Sequence, residues 1–200
     1  MRVTDATGGL INNTPLICGG FSFTSSSSDT CYSLKKNDVT ATAQMLANRT
    51  YAASIVHYEN FLWITGGRDM ELSLVHSSSE FIEAGKNNSV AGTNLPRPLT
   101  WHAMVAVEKD LTMVIGGLSL NWGNWYWTDD SNVTYYFDHS SQQWSSGPPL
   151  IIGRHGHAAF LVTDEISNEN MVVVAGGSYL ESLNSTEILR DGKWIEGKST

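Results

Sequence analysis

The sequence predicts an all-β protein built from four repeats of short strands. Three observations carry this. Four apolar runs, at residues 16–20, 62–67, 113–117 and 172–177, end in Gly-Gly. The doublets start at 19, 66, 116 and 176, so they recur after 47, 50 and 60 residues, and self-similarity at a period of this size marks one supersecondary unit used repeatedly. Finally, 18 glycines, 5 prolines and 10% aromatic residues suit short strands with tight turns better than helices.

Other features keep register with the doublets. A second short apolar run precedes each of the last three, at residues 51–56, 101–107 and 157–162. Arg49 and Arg154 each stand three residues before the matching Ala52 and His157. Downstream of each doublet comes an aromatic or apolar residue and, some seven residues later, a second apolar one: Tyr32 and Val39, Phe81 and Val90, Phe137 and Trp144, Ile188 and Trp194.

This combination of Gly-Gly, aromatic and Trp resembles the kelch repeat, and the resemblance covers essentially all 200 residues. Val39 and Val90 stand where the family usually has Trp, and the first repeat lacks the Arg. The resemblance implies a kelch-type β-propeller of four four-stranded antiparallel blades, at residues 1–48, 49–98, 99–152 and 153–200. Since the family usually closes with five to seven blades, the expectation is part of a larger propeller, with a closed four-bladed ring as the second reading.

Each blade reads as strands a to d from the inside outward. In the third, strand a falls at 101–107, b at Leu111–Ile115, c at 133–137 and d around Trp144. Strands a and b are nearly continuous apolar runs, as expected for strands covered on both faces. Gly-Gly ends strand b because glycine tolerates positive φ and lets another backbone approach. Trp and the aromatic of strand c should fill the wedge between blades.

Composition excludes several function classes. The net charge is −8, with 16% charged residues, which disfavours nucleic acid and anionic membranes as partners. No apolar run approaches the roughly 18 residues of a membrane-spanning helix, and the N-terminus shows no signal-peptide core. The chain carries no G-x-S-x-G, P-loop, H-E-x-x-H or C-x-x-C motif. His155 and His157 could share a strand face, but two ligands are too few for a metal site. Some kelch propellers carry a copper oxidase site, which needs a crosslinked Cys–Tyr pair and two His. Cys18 precedes a Gly doublet and no remote His pair matches. The expectation is no cofactor and no catalysis.

Cys18 ends strand b of the first blade and Cys31 begins strand c. Antiparallel neighbours place them at one end of a hairpin, so a disulfide is expected, with two free thiols as the alternative. Glycosylation sequons begin at Asn12, Asn48, Asn87, Asn132 and Asn184. With the disulfide they point to an extracellular or secretory setting, the alternative being cytoplasmic.

In an up-down-up-down blade the b–c loops and d–a links share one face. There the sequence gathers Arg68, Asp69, Arg154, His155 and Tyr179, and a loop at 118–132 with Trp122, Trp125, Tyr126 and Trp127. Trp, Tyr and Arg are the usual anchors of binding surfaces. The leading expectation is a non-catalytic module holding a protein, or a glycan, on this face. Self-association through open propeller edges is a further expectation. The alternatives are a propeller enzyme of galactose-oxidase-like or other carbohydrate-active type, and the substrate-recognition part of a ubiquitin-ligase adaptor whose BTB region lies elsewhere.

Overall fold

The computed structural model describes residues 3–22, 26–35, 38–120, 127–164 and 168–197, with residue 120 and residues 127–130 described by their backbone alone. All the regular structure in these residues is β, without a helix. The chain divides into two compact units, 1–100 and 101–200, each holding two of the four-stranded antiparallel sheets.

The strands follow one plan four times. In the first repeat β1 (Thr7–Ile11) and β2 (Thr14–Cys18) form a hairpin, a short pair β3 (Phe21–Ser22) and β4 (Ser26–Ser27) follows the glycines, and β5 (Thr30–Lys35) and β6 (Asp38–Gln44) complete the sheet. The second repeat has β7 (Ala53–His57), β8 (Phe61–Thr65), the short pair β9 (Arg68–Asp69) and β10 (Leu74–Val75), then β11 (Ser79–Glu83) and β12 (Val90–Ala91). The third has β13 (Ala103–Glu108), β14 (Leu111–Ile115), β15 (Leu118–Leu120), β16 (Trp127–Asp130), β17 (Thr134–Asp138) and β18 (Gln143–Ser146). The fourth has β19 (Ala158–Thr163), β20 (Asn170–Ala175), β21 (Ser178–Tyr179), β22 (Glu181–Ser182), β23 (Thr186–Arg190) and β24 (Lys193–Glu196). The sheet orders are β1-β2-β5-β6, β7-β8-β11-β12, β13-β14-β17-β18 and β19-β20-β23-β24.

All four Gly-Gly doublets end the second strand of a sheet, and all eight glycines have positive φ. The third shows why. Gly116 has φ +61°, and a Cβ there would lie 2.5 Å from the Arg154 carbonyl oxygen. Its neighbour Gly117 donates its N–H to that same carbonyl at 2.8 Å. Gly20 to Arg49 and Gly67 to Leu99 repeat the bond, each at 2.8 Å. Glycine is required because another backbone sits where a side chain would be.

In unit 1, Ile11, Leu16 and Ala43 of the first sheet pack on Leu62, Ile64 and Ile82 of the second. In unit 2, Val105, Met113 and Ile115 pack on Val172, Val174 and Trp194. Trp194 is buried and its indole N–H donates to the Pro148 carbonyl at 2.9 Å, while Trp144 leans on Phe137 with ring centroids 4.7 Å apart. Where Trp is replaced, Val39 and Val90 are exposed.

Two buried ion pairs lie at corresponding places. Arg49 Nε donates to Glu80 Oε1 at 2.5 Å, and Arg154 Nη2 to Glu187 Oε1 at 2.7 Å. Each guanidinium also donates to a doublet carbonyl, Gly66 O for Arg49 and Gly176 O for Arg154. Ser78 and Ser185 complete each set with carbonyl and hydroxyl oxygens. Glu80 further accepts from Leu46 N–H and the Ser89 hydroxyl, and Glu187 from the N–H groups of Ile151 and Ile152.

The strand register shows what the other two repeats use instead. Glu80 stands opposite Ile64, Glu187 opposite Val174, Tyr135 opposite Val114 and Tyr32 opposite Ile17. Before the first strand, Leu99 takes the place of Arg in the third repeat, and Val3 does so in the first. Arg comes with Glu, and an aliphatic residue comes with Tyr. A buried charge without its partner is far costlier than an apolar replacement of both.

Cys18 and Cys31 are directly opposed across β2 and β5 and joined by a disulfide, with Cα atoms 4.0 Å apart. The matching positions elsewhere are Thr65 with Ser79, Ile115 with Thr134 and Ala175 with Thr186. There Ser79 and Thr134 instead donate hydroxyls to the Thr93 and Pro148 carbonyls.

Two predictions follow from this packing. Arg49→Leu alone strands Glu80 and should lower stability by about 3–5 kcal/mol. Arg49→Leu with Glu80→Tyr, the pairing of the third repeat, should recover most of that loss in denaturant titrations. Reducing the Cys18–Cys31 bridge should cost about 3 kcal/mol, read as a lowered urea midpoint with dithiothreitol.

Candidate interaction surface

The short strand pairs are a second repeated layer. Each follows a Gly-Gly doublet: β3 with β4, β9 with β10, β15 with β16, and β21 with β22. Isolated bridges join three of them to the residues ahead of a first strand: Phe21 to Thr4, Arg68 to Thr50 and Ser178 to His155. The b–c loops and the d–a links therefore meet in these three repeats.

Beside each bridge the backbone turns sharply. The residue two places before the first strand has positive φ in every repeat: Asp5 (59°), Tyr51 (56°), Trp101 (55°) and Gly156 (61°). Tyr51 N–H donates to the Asp5 carbonyl at 3.0 Å, and Gly156 N–H to the Trp101 carbonyl at 2.9 Å. A left-handed Tyr or Trp is strained, and the surrounding bonds must hold it. Such outliers gather at sites where a side chain has to point in a set direction.

In unit 1 this position forms a polar cluster. Burial, then the Asp5 charge and a hydrogen bond to that carboxylate, hold the Tyr51 phenol above its ordinary value, while Arg68 acts in the opposite sense. The phenol thus meets the Asp5 carboxylate and feels the charge of Arg68, with Asp5 exposed and the other two half-buried. In unit 2, the Trp101 ring lies against His155 with centroids 5.3 Å apart. Tyr179 is 42% exposed and Leu180, at the tip of the short pair, is 93% exposed.

The structure sorts the residues expected on this face. Arg68, His155 and Tyr179 are accessible in part or fully. Arg154 is wholly buried and its guanidinium is turned to Glu187 and Ser185, so its side chain is engaged by the scaffold. Asp69 is also buried, and its Oδ1 accepts from the N–H groups of Glu71 and Leu72, shaping the tip of its hairpin. Trp122, Trp125 and Tyr126 lie outside the described residues, and Trp127 is the first residue of β16. Among the sequons, Asn12, Asn87, Asn132 and Asn184 are exposed, whereas Asn48 is half-buried with its carbonyl bound to the His76 ring.

Sequence reasoning missed Asp5, Glu80 and Glu187. Asp5 could have been found by aligning the residue two places ahead of each first strand. The glutamates could have been found through the repeated Ser-x-Glu at 78–80 and 185–187.

A solved structure described as "Structure of YjhT" is similar to this chain, with a TM-score of 0.82 and 13% sequence identity over 99% of this chain and 71% of that one. At that identity the likeness is one of fold. No protein-family model matches the chain and no curated protein sequence does either.

His157 adds a pH dependence beside this surface. Its ring is buried against the third doublet, where a Cβ on Gly116 would meet Cε1 at 2.8 Å. Burial first, then the charges of Arg154 and His155, lower its pKa from 6.5 to about 4. Between those values the unfolded chain binds a proton that the folded chain excludes, so stability falls as pH drops from 6.5 toward 4. The loss should reach about 3 kcal/mol. Ala6 and Ala52 hold the matching position in the first two repeats, each with its Cβ against its own doublet as His157 Cβ lies against Gly177. His157→Ala should therefore flatten the profile from pH 7 to 4 in denaturant titrations, relative to wild type.

Proposed function

We propose that the chain is a kelch-type propeller segment whose four sheets are blades, and that it acts as a non-catalytic interaction module. The partner, a protein or a glycan, binds within a unit, on the face made there by the short strand pairs and the left-handed link residues. The repeated left-handed position, occupied by Asp5, Tyr51 and Trp101, carries this reading. Strain at the same place in successive repeats is explained if those side chains must be presented outward. Radial repetition of four-stranded sheets accounts for the recurring Gly-Gly contacts.

The Asp5, Tyr51 and Arg68 cluster offers an acceptor, a donor and a cation within one patch, which suits hydroxyl-rich or mixed-charge groups. Tyr, Trp and Arg are also the side chains that most often anchor a partner. The disulfide and the exposed sequons support a secreted setting for this module.

Screening the protein on glycan and peptide arrays supplies the ligand for a direct test. Tyr51→Ala and Trp101→Ala should each weaken the bound ligand by about 2 kcal/mol or more at the position that contacts it. Far-UV spectrum and thermal midpoint should hold at that position. Unchanged affinity in Tyr51→Ala, Trp101→Ala and Arg68→Ala alike would contradict this location.

A further inference from the structure

The wedge between the two sheets of a unit is wider in unit 1 than in unit 2. In unit 2 Trp194 belongs to the shared core and Tyr136 packs against it. Tyr136 stands opposite Met113, and its counterpart in the first sheet, opposite Leu16, is Ser33. Where the fourth sheet has Trp194, the second has Ser89 and Val90. The Ser89 hydroxyl is bound to Glu80 and Val90 is exposed, so neither ring of unit 2 is replaced in unit 1.

What remains is a cleft of about 870 Å³, against about 490 Å³ for its counterpart in unit 2. Ile11, Leu16, Ala43 and Ile82 give the cleft an apolar part, and Thr14, Thr30, Ser33, Thr42 and Gln44 add hydroxyls and an amide. Ser33 is only 5% exposed, and its hydroxyl makes no hydrogen bond among the described residues. A buried hydroxyl of that kind favours an occupant that can bond it.

The walls are pinned at the end that unit 2 lacks. Gln44 N–H donates to the Asn87 carbonyl and Ser89 N–H to the Gln44 carbonyl, each at 2.9 Å. The turn between the paired residues Phe81 and Val90 spans 82–89, whereas that between Ile188 and Ile195 spans only 189–194. The longer turn brings Asn87 to the cleft, which it lines with its side chain exposed. Asn87 begins the sequon Asn87-Asn88-Ser89. Asn12, which begins another sequon, lines the end that both clefts share, where Glu108 stands in unit 2.

We propose that Asn87 carries an N-linked glycan whose first sugars turn back into this cleft. The apolar faces of the sugar rings cover the aliphatic part, and their hydroxyls bond Ser33 and its polar neighbours. The glycan thus fills in unit 1 the wedge that Tyr136 and Trp194 narrow in unit 2. A lipid-linked oligosaccharide diphosphate supplies the sugar. The bond from sugar C1 to the diphosphate oxygen breaks, C1 bonds the Asn87 amide nitrogen, and the displaced amide proton and the lipid diphosphate leave. Ser89 is buried against Glu80 in the folded chain, so the transfer precedes folding of unit 1. The inference rests on the secreted setting proposed above and gives one sequon a structural role within it.

Glycopeptide mass spectrometry of the natural protein reads occupancy site by site. Timed digestion of the folded protein with an endoglycosidase then reads how far each glycan is covered. Asn184, an exposed sequon in unit 2, is the internal control. Asn87 should be occupied, and its glycan should be trimmed about tenfold more slowly than that at Asn184, because a docked sugar meets the enzyme only while undocked. Ser33→Tyr, secreted from eukaryotic cells, returns the ring of Tyr136 to the cleft. It should leave occupancy unchanged and bring the two rates together. Ser33→Leu, a smaller filling, should narrow the gap in the same direction if the tyrosine variant does not fold. Equal rates in the wild type, or a glycan still protected in the folded variants, overturns the proposal. Glycan at Asn184 with Asn87 bare overturns it alone, whereas a natural protein bare at every sequon overturns the secreted setting with it.

Discussion

The structure depends on keeping two arginines charged in the dark interior of the protein. Arg49 and Arg154 are essentially without solvent contact, and each is satisfied by one glutamate, a serine and a glycine carbonyl. Arginine and partners together tie three separate segments: the end of the second strand, the start of the third, and the link that precedes the first. Burying a guanidinium is tolerable only when nearly all its donors are used. Satisfying them fixes where these segments sit, and so fixes the mouth of the sheet from which the short strand pairs emerge.

The glycines extend that constraint from one sheet to the next. Arg154 binds the Gly176 carbonyl in its own sheet through its side chain, and its backbone carbonyl receives Gly117 N–H from the previous sheet. Arg49 does the same with Gly66 and Gly20. One residue thereby links two sheets with both its side chain and its backbone. Leu99, at the same position by sequence, receives Gly67 N–H within unit 1, and burial of its side chain replaces the ion pair. The left-handed turn at Tyr51 and Trp101 begins two residues after this anchor, which is why a strained aromatic can be held there.

Much of the fold was legible in the sequence. The β14 bounds, Leu111–Ile115, and the ends of all second strands could be read because Gly-Gly breaks a strand and has few other uses there. First strands were less clear: Trp101 looks like a strand residue by propensity, yet it occupies the left-handed turn before β13. The short strand pairs are only two to four residues long, too brief to show any alternation. Arg49 and Arg154 stood out, but their glutamates lie 31 and 33 residues away, and a lone Glu on a strand reads as a solvated charge. Loop topology placed Asp69 and Arg154 beside the b–c loops and d–a links without showing that their side chains turn inward. Direction was set by hydrogen-bond demand, which a linear pattern does not display.

The account stands on the sheet-to-sheet bonds donated by Gly20 and Gly117 and on the matching bond from Gly67 to Leu99 within unit 1. Native-state amide hydrogen exchange measures them one by one. These three amides should exchange only through opening of a whole unit, at rates matching the central strands β8 and β14. Exchange near the rate of a free peptide at these glycines, with β8 and β14 still protected, would show that the sheets are not joined in this way.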